Sequence, residues 1–121
     1  MATTPWTEQE NRDLIELYFY MLDRAISGQP YNKAAMIRDA TGRDKFGIIT
    51  NNDAPLIDRS RGSIEAKLMN ASAAHRDLVP GATATMAAHG YKAWGNYQAS
   101  LKDAMREGLE ARWLITAEGV A

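Results

Sequence analysis

The sequence contains no cysteine, which removes disulfides, thiolate nucleophiles, cysteine-ligated zinc and iron–sulfur clusters in one step and is in keeping with a reducing compartment. No apolar run approaches the ~20 residues that cross a bilayer, and the start MATTPWTEQE has neither the basic nor the apolar region of a signal peptide. The expectation is a cytoplasmic protein with no membrane partner. Charge of one sign is also missing: 14 basic and 15 acidic residues leave a net charge of -1, so the whole molecule offers no bulk attraction for nucleic acid. Histidine is limited to His75 and His89, in no metal-ligand grouping, and no nucleophile elbow, P-loop or dinucleotide fingerprint occurs. Catalytic residues, metal and cofactor are therefore all expected to be absent. What remains is a chain of 121 residues, 45% hydrophobic and 24% charged, the balance of one globular domain.

Charge placement is more informative than its total. Between Trp6 and Arg24 five acids (Glu8, Glu10, Asp13, Glu16, Asp23) oppose Arg12 and Arg24, a local balance of -3. Residues 59–76 reverse this, with Arg59, Arg61, Lys67 and Arg76 against Glu65 alone, a balance of +3. Segregation of this kind can give a near-neutral protein one positive face, although over short segments dipolar noise is an even alternative.

The periodicity predicts an all-α fold: a three-helix, helix-turn-helix-like bundle with an additional C-terminal helix. In the first helix Leu14, Ile15, Tyr18, Met21, Leu22, Ala25 and Ile26 share one face, Thr7 and Glu10 form a capping box, and Gly28 and Pro30 mark the stop. Leu17, Phe19 and Tyr20 widen that face, so it is expected to be the central core helix. A second helix runs from Asn32, a candidate N-cap, to about Ala40 and stops at Gly42, making residues 6–42 a helical hairpin. Residues 43–58 read as a loop or insertion, with a small hairpin turning at Asn51 and Asn52 as the alternative. Ser60 caps a third helix within 59–79, on which Ile64, Leu68, Ala71, His75 and Leu78 form the apolar stripe. Residues 79–90 read as a linker, and the last helix lies within 91–115, from about Asn96 to Leu114. There Gly108 weakens it by roughly 1 kcal/mol relative to alanine. His75, centred in an apolar stripe, is read as a structural imidazole rather than a ligand or base.

On the third helix Arg59, Ser63, Lys67, Asn70 and Ala74 form a polar stripe beside the apolar one, free of acids. Arginine and lysine can contact phosphate or guanine, and Asn70 carries the paired donor and acceptor that read adenine. The bland alternative is a solvated helix face with Arg61 paired to Glu65 at i, i+4, and on pattern alone it is somewhat favoured.

The runs PWTEQENRDLIELYFYML, YNKAAMIRDATG, RSRGSIEAKLMNASA and GYKAWGNYQASL resemble the region ahead of the nuclease in bacterial McrA-like HNH-type restriction endonucleases. The resemblance reaches from Trp6 to about Leu101, and its third and fourth blocks are the specific ones. The first block alone also resembles Myb-like and SANT-like modules. It implies an accessory, DNA-engaging domain of phage-defence nucleases, here free-standing or with its nuclease on a separate chain. Asn32, Lys33, Arg59, Arg61, Ser63, Glu65, Lys67 and Asn70 match the pattern by position, as do Gly90, Tyr91, Asn96 and Gln98. The link at residues 44–57 is longer than in that pattern, and ASAAHRDL stands where larger aliphatics are usual. The leading expectation is a non-enzymatic binder of double-stranded DNA in a restriction system or mobile element, through Arg59, Arg61, Ser63, Lys67, Asn70, Asn32 and Lys33. The alternative is a protein-interaction module that tethers, inhibits or oligomerises with a defence protein, with Leu17, Tyr20, Trp94 and Trp113 as candidate anchors.

Overall fold

The computed structural model describes residues 5–79 and 97–112, together with the backbone of 115–116 and 119–120. The expected all-α class is what it shows. Helix α1 spans Glu8–Ile26, α2 Lys33–Thr41, α3 Arg61–Leu78 and α4 Ala99–Ala111. Two-residue strands Ile115–Thr116 and Gly119–Val120 pair antiparallel after α4, with Ile115 opposite Val120. The last helix therefore stops three residues short of the expected Leu114 and begins at Ala99 rather than Asn96. The expected linker after Val79, with His89, Gly90, Tyr91, Trp94, Asn96 and Trp113, lies outside the described residues.

Helix boundaries follow local chemistry. The Thr7 hydroxyl accepts from the Glu10 N–H and the Glu10 carboxylate accepts from the Thr7 N–H, both at 3.0 Å, completing the capping box. Asn32 Oδ1 accepts from the Ala35 N–H at 3.1 Å, and Ser60 Oγ accepts from the Ser63 N–H at 3.1 Å. Gly42 ends α2 in the left-handed conformation, with φ of 67°.

The core is a three-helix contact. Helix α1 packs most extensively on α4 and α3, and α3 on α4, while α2 touches α1 and α3 only lightly. Leu14, Ile15, Tyr18, Phe19, Met21 and Leu22 are buried, which makes α1 the central helix as its width implied, although Tyr20 and Ile26 stay exposed. The supposed extra helix α4 is thus a core element, contributing Leu101, Ala104, Met105 and Leu109. Residues 42–60 separate α2 from α3, far more chain than the three or four residues of a helix-turn-helix connection. That arrangement does not extend to α2 and α3 here.

Two small-residue positions set the packing. At Gly108 an added Cβ would lie 2.8 Å from Ile15 Cγ2 and 3.2 Å from Phe19 Cε2, so this glycine lets α4 approach α1. The run Ala71, Ser72, Ala73 and Ala74 is wholly buried, which turns the second half of α3 inward on nearly every side. His75 is buried with it, its Nδ1 2.7 Å from the Tyr18 hydroxyl and its ring edge-on to Tyr18 and Phe19. Burial lowers the His75 pKa and raises that of Tyr18, so both stay neutral in a structural contact. Tyr97 donates to the Asp77 carboxylate, tying the entry of α4 to the end of α3.

The segment between α2 and α3 is built rather than loose. Ala54 and Leu56 are buried, the Leu56 N–H bonds to Ala40 O at 2.8 Å, and Gly42 O accepts from Thr50 and Asn51 N–H groups at 2.7 and 3.1 Å. A small hairpin exists, but it turns over Lys45–Gly47 and not at Asn51 and Asn52. The Arg43–Ile49 bridge closes it, Gly47 N–H bonds to Asp44 O, and Gly47 takes a φ of 82°. This is the three-residue hairpin in which a left-handed glycine follows a tight turn. Asn51 Oδ1 instead accepts from the Asp53 N–H, shaping the next bend.

Candidate functional site

The cationic stripe expected on α3 is not free of acids. Arg59 Nε and Nη2 each lie 2.7 Å from the Glu10 carboxylate, a bidentate pair between side chains only 9% and 14% exposed. Arg59 also donates to Pro5 O at 3.0 Å and sits 4.9 Å from the centre of the Trp6 ring. The hydrogen bond from Arg59 leads the causes that hold the Glu10 carboxyl below the usual carboxylate range, and the reciprocal bond raises the Arg59 pKa. Arg59 therefore joins the start of α3 to the start of α1, and its guanidinium is withdrawn from the outward face on which phosphate contact was expected. The opposed charge balances of the two segments meet here and partly cancel.

The other expected contacts scatter. Lys67 is half-buried, its Nζ 5.4 Å from the same Trp6 ring, and its pKa is lowered first by burial and then by the Arg59 charge. Arg61 lies in solvent and pairs with Glu65 at 3.1 Å, the i, i+4 contact of the bland reading. Ser63 and Asn70 are half-buried, and Ala74 is removed from the polar stripe by complete burial. Asn32 uses its side-chain oxygen to cap α2, at whose first residue Lys33 stands. Arg59, Lys67 and Trp6 are brought together; Asn32 and Lys33 belong to the α2 entry instead.

A different set of cations converges. An open groove of about 670 Å³ lies between α2, the hairpin segment and the start of α3. Its walls carry Arg38, Arg43, Lys45, Arg59 and Arg61, with Asp44 and Asp58 the acids among them. Asp44 Oδ1 is engaged by the N–H groups of Phe46 and Ile48 at 2.9 and 3.0 Å, and the charge of Asp58 acts on Arg59. Among the described residues no carboxylate lies within ion-pair distance of Arg38, Arg43 or Lys45. Arg43 donates to Thr41 O and Ile57 O at 3.1 and 2.8 Å, so it braces the groove while keeping its full charge there. The groove offers positive charge along one strip, braced at Arg43 and suited to a run of anionic oxygens.

Sequence reasoning passed over Arg38, Arg43 and Lys45 because alternating acids, Asp39 and Asp44, dilute the local count to near zero. The available signal was Asp44 before Gly47, a turn pattern that consumes the carboxylate locally and frees the flanking cations. Among the described residues no group of three or more histidine and acidic side chains is placed to hold a metal ion. No protein family, curated protein or solved structure matches this chain.

Proposed function

We propose that this protein is a non-enzymatic, DNA-binding helical domain that takes duplex phosphates into the groove between α2, the hairpin and α3. The observation that carries this reading is the convergence of Arg38, Arg43, Lys45 and Arg61 on one strip, the first three without carboxylate partners among the described residues. Such charges supply the sequence-independent phosphate attraction on which DNA affinity largely rests. Arg61 at the entry of α3 lines the strip, whereas Arg59 serves as its structural back wall. A restriction or phage-defence setting, with the domain acting beside a nuclease, follows from the resemblance to McrA-like enzymes.

Reversing Arg38 and Lys45 together (Arg38→Glu with Lys45→Glu) is expected to remove most of the retardation of a duplex at low salt. The helical circular dichroism should be unchanged, since Lys45 is exposed and, among the described residues, no ion pair engages either side chain. Full retention of binding by this variant would remove the groove from consideration. The second reading, a protein-interaction module, is favoured by a different observation: Phe46, Ile48 and Ile49 stand exposed together on the hairpin. Recovery of a protein partner with no duplex shift would select it.

A further inference from the structure

The hairpin tip next to the groove presents apolar side chains that the core does not use. Phe46 is 77% exposed, Ile48 62% and Ile49 47%, whereas Ile37 and Leu56 on either side of the hairpin are buried. The tip is preorganised: Asp44 Oδ1 holds the Phe46 and Ile48 N–H groups, the Asp44 N–H bonds to Ile48 O at 3.0 Å, and Gly47 fixes the turn. Cations flank it, with Lys45 Nζ 5.3 Å from the Phe46 ring and Arg43 at the hairpin's base.

We infer that Phe46 and Ile48 form a wedge that enters a base step of the duplex held in the groove and unstacks it. This rests on the DNA-binding reading and adds how the duplex is engaged. Apolar side chains inserted between base pairs kink DNA and recover the unstacking cost through the additional backbone contacts that the bend allows. The groove supplies those contacts, since Arg38, Arg43 and Lys45 line the surface immediately behind the tip. The flat ring of Phe46 has the thickness of one stacked base, about 3.4 Å per step. A planar bilayer is a poorer match, because Arg38 and Arg43 are half-buried in the groove lining rather than exposed beside the tip. A rigid tip also forfeits little conformational freedom on insertion.

The test uses the full chain and a duplex carrying 2-aminopurine at a flexible TA step, read by fluorescence rise on unstacking and by end-to-end energy transfer for bending. The wild type is expected to raise the fluorescence and shorten the end-to-end distance. Phe46→Ser with Ile48→Ser should keep salt-dependent binding, lose both signals and bind about tenfold more weakly. Phe46→Leu, which keeps an apolar wedge, should retain the signals. Duplex binding by the wild type without unstacking, or signals unchanged in the double variant, would overturn the wedge and leave the groove standing. No duplex binding at low salt would overturn both. Sedimentation with phosphatidylserine vesicles that depends on Phe46 and Ile48, without unstacking of DNA, would assign the tip to a membrane and overturn the inference.

Discussion

Replacing Glu10 by alanine is expected to lower the unfolding free energy by about 3 kcal/mol, the lower end of the cost of stranding one member of a buried ion pair. The lower end applies because both partners keep an exposed edge. One carboxylate does two jobs here: it caps α1 through the Thr7 N–H, and it neutralises the guanidinium that joins α1 to α3. In the variant Arg59 keeps its charge against the Trp6 ring and Pro5 O without the bidentate carboxylate that neutralised it. Chemical denaturation measures the loss, and Glu8→Ala is the control. Glu8 meets Arg12 only at 3.9 Å in solvent, so its removal should change stability by less than about 0.5 kcal/mol. The pair also has a pH signature. Because Glu10 has a lowered pKa when folded, its contribution is complete above the ordinary glutamate value near 4.5 and is lost as pH falls through the lowered one. That part of the acid sensitivity should vanish in Glu10→Ala.

Gly42→Ala should be of similar severity, about 3 kcal/mol, of which the left-handed backbone accounts for roughly 1–2 kcal/mol and steric overlap for the rest. An alanine Cβ would stand 2.1 Å from Asn51 O and 2.8 Å from Ala54 Cβ, so the segment from Asn51 to Leu56 would have to lift off α2. Gly28 isolates the backbone part: its φ is 72°, but nothing lies within 4 Å of an added Cβ. Gly28→Ala should therefore cost only about 1 kcal/mol. Equal losses at the two glycines, measured by urea unfolding, would show that the close approach of the loop to Gly42 has no energetic weight.

The parts of this fold that the sequence made legible are those fixed by neighbours three or four residues away. The Thr7–Glu10 box, the Asn32 and Ser60 caps and the Gly42 stop all depend on local donors and acceptors, and each occurs where read. The fate of Arg59 depended on a contact across 49 positions, with Glu10 already assigned a local role that did not reveal its second one. Nothing in helical periodicity distinguishes Lys67 over a tryptophan from Lys67 in water. Gly108 looked like a weak point because propensity registers the missing methyl and not the facing Ile15. The hairpin was misplaced because the Asn51–Asn52 pair is a strong turn signal, while the turn used depends on Asp44 and Gly47.

This relocation also changes which cations can be tested. Charge reversal at Arg59, attractive on sequence grounds, would set two carboxylates against each other in the α1–α3 joint and confuse unfolding with lost binding. Arg38 and Lys45 avoid that difficulty, since no ion pair engages either among the described residues.

The most direct measurement is the dependence of duplex affinity on salt, by fluorescence anisotropy, for the wild type and for Arg38→Glu with Lys45→Glu. Each phosphate neutralised contributes about -0.9 to the slope of log K against log salt, so engagement of Arg38, Arg43, Lys45 and Arg61 predicts a slope of about -3 to -4. The double variant should lose at least about 2 of that slope together with most of the affinity. A wild-type slope near zero, or an identical slope in the variant, would contradict the claim that this groove holds the phosphates of DNA.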